Sequence, residues 1–159
     1  MCGIIGIKGQ LPARNLFEVA TDSIKHRGPD DNGIFYSKEQ GIALGHRRLS
    51  VIDLSPSGKQ PFWSKNGRYA IIFNGEIYNY LEIKAELKDH YNFKTKTDTE
   101  VLLAAYATWK EKCLKKLNGM FAFAIWDSQE KIIFCARDRL GEKPFYYTET
   151  PSAFLFASE

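Results

Sequence analysis

No stretch of the sequence approaches the roughly 20 consecutive apolar residues that a membrane-spanning helix needs, and the amino end has no charged segment leading into an apolar run of the secretory kind. Cysteine is scarce. Cys2, Cys113 and Cys135 are odd in number and far apart, with no CxxC pair and no Cys/His cluster at zinc-ligand spacing. This excludes a disulfide framework and a zinc knuckle, and no metal ligands are assigned. Free thiols of this kind belong in a reducing compartment, so a cytoplasmic location is expected. There is no block of Lys or Arg either: 22 basic against 19 acidic side chains give a net charge of +3, spread along the chain. Neither nucleic acid nor a membrane is an expected partner. Low complexity and internal repeats are absent too. What remains is a chain of 159 residues, 14% aromatic, long enough to bury one substantial core.

Strand-like and helix-like stretches alternate. Cys2 to Ile7 reads as a strand and Pro12 to Lys25 as a helix, with Leu16, Phe17, Ala20 and Ile24 on one stripe. "RGPDDNG" is a turn cluster, followed by short strands around Gly33 to Tyr36 and Ile42 to Arg47 and a loop through "SPSGKQP". "RYAIIF", Arg68 to Phe73, is a strand running into "NGEIYN", and Leu81 to Lys88 is helical. "TDTE" is a capping box, Thr97 with Glu100, opening a helix that carries Val101, Leu102, Ala105, Tyr106 and Trp109. After Gly119, "MFAFAIWD", "KIIFCARD", "PFYYTE" and "AFLFAS" predict an antiparallel meander of four strands. The pattern is α+β. The last run stops on an apolar strand with no cap or polar tail, as expected of a domain cut short of its continuation.

Each candidate for chemistry has an ordinary reading beside its functional one. Cys2 fits a buried strand position; with Met1 removed it carries a thiol and a free α-amine on one residue. Asn74-Gly75 is a common hairpin-turn pair. Asp98 suits the first turn of a helix whatever the function. Arg48 and Glu76 read equally as solvated charges, His26 and His46 as structural or exposed groups, and Cys113 and Cys135 as packing residues.

Seven stretches occur in one order: "MCGIIG", "HRGPDDNG", "GHRRLSVID", "FNGEIYNY", "TDTE", "NGMFAFAIWD" and "ARDRLGEKPFYY". In that order they resemble the glutamine amidotransferase domain of glutamine-hydrolysing asparagine synthetases, of the N-terminal-nucleophile hydrolase superfamily, over nearly the whole chain. Ala136 departs from the Gly that many relatives carry before "RD". The resemblance implies a four-layer αββα sandwich of antiparallel sheets, with residues 1–159 forming one glutaminase domain and the synthetase domain absent. It implies Cys2 as nucleophile, Asn74 and Gly75 as the oxyanion hole, and a glutamine pocket formed by Arg48, Leu49, Ser50, Val51, Ile52, Asn74, Gly75, Glu76 and Asp98.

The expected reaction is hydrolysis of the side-chain amide of glutamine through a Cys2 thioester. Its ammonia passes to an ATP-dependent synthetase domain of the same full-length protein, which converts aspartate to asparagine. No cofactor is expected in this domain, whereas ATP and Mg²⁺ are implied for the missing one. The chemistry agrees with the residues: an amide is a poor electrophile that benefits from a covalent route, and an α-amine with an ordinary pKa of about 7.7–8.0 is a serviceable base near neutrality. A guanidinium suits the carboxylate of an amino acid, and two carboxylates suit its ammonium. Two alternatives stay open at this point: the same chemistry serving another acceptor in antibiotic, surface-polysaccharide or sugar-phosphate amidation, and a non-catalytic glutamine-binding module; a homodimer is a candidate assembly under any of these readings.

Overall fold

Two runs, "YAIIFNGEI" and "GMFAFAIWD", are apolar at nearly every position, and a strand can use such a run only if both of its faces are covered. The computed structural model, which describes residues 1–50 and 56–159, covers both. Its strands are β1 (Gly3–Gly9), β2 (Asp31–Ser37), β3 (Ile42–Arg48), β4 (Phe62–Trp63), β5 (Tyr69–Ile77), β6 (Gly119–Asp127), β7 (Ile132–Arg137), β8 (Tyr146–Glu149) and β9 (Ala153–Ala157). Its α-helices are α1 (Arg14–Ser23), α2 (Tyr80–Leu87) and α3 (Asp98–Trp109). Five strands form one antiparallel sheet in the order β2-β3-β1-β9-β8, and four form a second in the order β4-β5-β6-β7.

The period of two then sorts the side chains. Ala70 and Ile72 of β5, with Ala122, Ala124 and Trp126 of β6, face the other sheet and meet Ile4, Ile42, Leu44 and Phe156. The alternate residues, Ile71, Phe73, Phe121, Phe123 and Ile125, face α2 and α3, where Ile83, Val101, Leu102, Ala105 and Tyr106 cover them. Phe17 of α1 packs on Ile7 and Ala43 across the outer face of the five-stranded sheet. The layers are therefore helix, sheet, sheet, helices, the αββα sandwich expected. Each fully buried Leu, Ile or Phe contributes about 1.5–3 kcal/mol.

Four details correct the sequence reading. Asn74-Gly75 does not turn: both residues lie inside β5, paired with Ala122 and Phe121. The continuous β6 partner offers more hydrogen bonds than a two-residue hairpin would. The four C-terminal runs are not one meander, because β6 and β7 pair in the second sheet while β8 and β9 pair in the first, and the "RDRLGEKPF" loop crosses between them. The first helix is shorter than Pro12 to Lys25; Ile24 closes it and a 3₁₀ turn, Lys25–Arg27, follows. The capping box is half made. Thr97 accepts the Glu100 N–H at 3.3 Å, but the Glu100 carboxylate accepts from the N–H groups of Lys94 and Thr95, and the Thr97 N–H goes to Thr95 Oγ1. The stretch read as loop, "SPSGKQP", also holds a 3₁₀ turn, Pro56–Gly58, and β4 follows it where the sequence predicts no element. No described helix is long and apolar enough to cross a membrane.

Candidate active site

The alternation that builds the inter-sheet core also fixes what lies at its end. Counting by twos, Ile42 and Leu44 of β3 lead to His46 and Arg48; Ala70 and Ile72 of β5 lead to Asn74; Ile4 leads back to Cys2. Three separate strands thus bring Cys2, Arg48 and Asn74 to one rim of the sandwich. There they border a cavity of about 170 Å³, whose wall also includes Leu49, Gly75, Glu76 and Asp98.

Half-buried Cys2 is held by its neighbours. Its Sγ lies 3.4 Å from the Leu49 N–H, which donates to it, and 3.6 Å from the Leu49 carbonyl. Its own carbonyl accepts from Arg27 Nε at 3.1 Å. Burial pushes the thiol above its ordinary pKa, and the Leu49 N–H, the terminal ammonium and Arg48 only partly offset this. The sulfur is therefore protonated at neutral pH and requires a base. His46 does not supply one: fully buried, with Nε2 3.2 Å from the Phe73 carbonyl, it is pushed down to about 4 by burial, with the Arg48 charge adding to the effect.

Asn74 is 1% exposed, and its Nδ2 has no hydrogen-bond partner among the described residues. A buried amide donor beside a cavity is a costly arrangement unless something else accepts from it. Arg48, 8% exposed, lies against Gly58, where a Cβ would come within 2.2 Å of the guanidinium and make it shift. Asp98 is the first residue of α3 and 5% exposed. The Ile77 N–H donates to its Oδ2 at 3.0 Å, yet burial, with Glu76 adding its charge, raises the carboxyl to about 6.

The "RGPDD" stretch supports this rim. The Asp30 N–H donates to the Arg48 carbonyl at 3.0 Å and Asp30 Oδ2 accepts the Ser50 N–H at 2.8 Å. Ser50 thus spends its N–H on Asp30 and is not part of the cavity wall; Val51 and Ile52 lie outside the described residues. Several wall residues carried no sequence signal as site residues: Gln60, Thr99, Met120 and Lys143. Gln60 ties the parts together, accepting the Phe73 N–H at 2.6 Å and donating to Thr99 Oγ1 at 3.3 Å. Thr99, Met120 and Lys143 sat in stretches already singled out, "TDTE", "NGMFAFAIWD" and "ARDRLGEKPFYY", whereas Gln60 lay in the stretch read as loop. Cys113 and Cys135 are raised to about 12, by burial in both cases and with Glu111 adding at Cys113, as packing residues would be. No group of three or more metal-ligating His, Cys, Asp or Glu side chains occurs among the described residues.

Two facing antiparallel sheets between helices, with a thiol at the amino end of the strand central to one of them, define an N-terminal-nucleophile hydrolase fold. The same architecture is seen in the glutamine phosphoribosylpyrophosphate amidotransferase of Bacillus subtilis, with a TM-score of 0.82 at 25% identity over 99% of this chain and 42% of that one. A family model described as glutamine amidotransferase domain matches residues 1–159, and the chain belongs to that family. It is 45% identical to asparagine synthetase [glutamine-hydrolyzing] 3 of Bacillus subtilis, covering 100% of this chain and 26% of the relative. To putative asparagine synthetase [glutamine-hydrolyzing] 2 of Methanocaldococcus jannaschii it is 44% identical, again over the whole chain and 34% of the relative. The chain thus spans about a quarter to a third of the length of these curated relatives.

Proposed function

We propose that the chain is the glutaminase half of a glutamine-hydrolysing asparagine synthetase, and that Cys2, freed of Met1, is both its nucleophile and its base. The observation that carries this reading is the Asn74 Nδ2 donor, unpartnered among the described residues, bordering the same cavity as the Cys2 thiol. The α-amine of Cys2 takes the Sγ proton, and the sulfur attacks the amide carbon of glutamine. The resulting oxyanion accepts from Asn74 Nδ2 and the Gly75 N–H, a rigid pair because both residues belong to a paired strand. The α-ammonium returns its proton to the departing nitrogen, ammonia leaves, and water hydrolyses the thioester to glutamate.

Arg48 takes the α-carboxylate of glutamine and Asp98 with Glu76 its ammonium, and Leu49 borders the same pocket. Ammonia then serves an ATP- and Mg²⁺-dependent synthetase part of the protein, with aspartate as acceptor. The names of the relatives favour that acceptor, while the likeness to a phosphoribosylpyrophosphate amidotransferase keeps a sugar-phosphate acceptor as the second reading. With Met1 retained, the Cys2 nitrogen is an amide and the base is lost. The test compares ammonia release from glutamine by the Met1-trimmed chain and its Cys2→Ala variant, with mass spectrometry of a γ-glutamyl adduct on Cys2. Equal ammonia release by the two chains would refute the proposal.

A further inference from the structure

The "RDRLGEK" loop that crosses between the sheets has no part in the reaction as written, yet it is built with care. The Asp138 carboxylate accepts the N–H groups of Phe121, Leu140, Glu142 and Lys143 at 2.9–3.2 Å. Arg137 clamps the other side, donating from Nε to the Lys143 carbonyl and from Nη2 to the Gly141 carbonyl, each at 2.6 Å. Gly141, at φ +68°, supplies the left-handed residue the bend requires. The residue delivered by all this is Lys143, 6% exposed and on the cavity wall with Cys2.

The Lys143 ammonium is poorly matched where it lies. Its Nζ meets Met1 Sδ at 3.3 Å, a thioether and a weak acceptor, and among the described residues it pairs with no carboxylate. A buried cation usually has a strong counter-group. Its one hydrogen-bond partner among the described residues belongs to the residue whose removal the proposed reaction requires. Once Met1 has gone, the ammonium and the new α-amine border one cavity, with the place of Met1 between them.

We infer that Lys143 is a positioning residue whose charge keeps the α-amine of Cys2 unprotonated, and so able to act as a base, at neutral pH. The inference rests on the glutaminase reading. A nearby cation disfavours the ammonium form of the amine. The other charged groups facing the amine are Arg27 from the 3₁₀ turn, Arg48 from β3, Glu76 from β5 and Asp98 from α3. Bound glutamine is a zwitterion that engages Arg48 through its carboxylate and Glu76 with Asp98 through its ammonium, while Arg27 is paired with Glu159. Lys143 is then the cavity-wall cation that the substrate does not engage, acting in the direction catalysis needs.

The experiment uses the Met1-trimmed chain, its Lys143→Met variant and its Lys143→Arg variant. Two quantities are followed against pH: kcat at saturating glutamine, and the α-amine signal by NMR after isotopic labelling of the cysteine nitrogen. Lys143→Met is expected to move both midpoints upward by at least about half a pH unit, with kcat at high pH within a few-fold of the parent, and Lys143→Arg to restore them. Unmoved midpoints, with or without lost thermal stability, would overturn the inference and leave Lys143 a packing residue. If the parent releases no ammonia, the glutaminase reading fails, while the NMR midpoint still decides whether Lys143 tunes the amine.

Discussion

Asp98→Asn should make the protein more stable and nearly inactive at once. The fold raises the Asp98 carboxyl from 3.8 to about 6, by burial and by Glu76. Because the folded value lies above the ordinary one, the contribution of this group to stability is complete below pH 3.8 and is lost as pH rises through about 6. At pH 7 the ionised side chain therefore costs about 3 kcal/mol, at 1.36 kcal/mol per pH unit. Asparagine removes that cost and keeps an oxygen for the Ile77 N–H. Allowing for an imperfect replacement, the gain is about 2 kcal/mol, a rise in Tm of roughly 4–8 °C for a domain of this size. Losing the partner of a buried substrate ammonium is worth 2 kcal/mol or more, so KM for glutamine should increase at least about thirtyfold.

The pH dependence gives a second readout of the same variant. His46 is lowered from 6.5 to about 4, so its contribution is present above pH 6.5 and lost as pH falls through 4. Between pH 4 and 6 it and Asp98 oppose one another, and the stability of the parent should be nearly flat there. Asp98→Asn should unmask the histidine, with about 3 kcal/mol lost on acidification from pH 6.5 to 4. Chemical denaturation at pH 7, 6, 5 and 4, with glutaminase kinetics at pH 7.5, measures all of this. A variant less stable than the parent at pH 7, or with unchanged KM, would refute the reasoning.

Gly75→Ala would place a Cβ 2.2 Å from the Met120 carbonyl oxygen and 2.7 Å from Phe121 Cα, both backbone atoms of β6. The strands must separate, and kcat for ammonia release should fall by about 10²–10³ as the oxyanion donors lose register; a rate within twofold of the parent would count against that role for this strand. Asp138→Ala strips four N–H groups of their shared acceptor and should cost about 2–4 kcal/mol in denaturation experiments. Burial works against ionisation of Asp138, but the N–H groups of Lys143, Glu142, Phe121 and Leu140 outweigh it and hold the carboxyl below its ordinary value. Its contribution is thus present above pH 3.8 and lost as pH falls through the folded value, so the variant's deficit should shrink in acid.

The α+β class was legible from the alternation of strand-like and helix-like runs, and the sandwich through the resemblance carried by seven motifs in their order; the two-faced cover of β5 and β6 explains why it forms. Local turn chemistry misled at Asn74-Gly75: two residues with a strong hairpin preference are overridden by pairing with Ala122 and Phe121 from a strand more than forty positions away. The same limit explains the split of the C-terminal runs, since nothing within "KIIFCARD" or "PFYYTE" states which sheet each will join. Glu100 kept its place in the capping motif but lost its reciprocal bond to Lys94 and Thr95, neighbours that the spacing rule does not weigh. Cys2, Arg48, Asn74 and Asp98 were found through motif resemblance, whereas Gln60 and Lys143 reach the cavity by long-range convergence that no local pattern encodes.

The pairing of β1 with β9 ties the first strand to one of the last: the Ile4 N–H donates to Ser158 Oγ, the Ser158 N–H donates to the Ile4 carbonyl, and the Arg27 that holds the Cys2 carbonyl also reaches Glu159. During synthesis, one edge of the first strand therefore stays without its neighbour until some 150 residues have been translated, although β3 pairs with the other edge. Closure of so long a loop comes late in folding. A chain truncated before β9 should therefore keep its amino end but lack this mooring, and is expected to bind and hydrolyse glutamine poorly in a direct comparison with the whole domain.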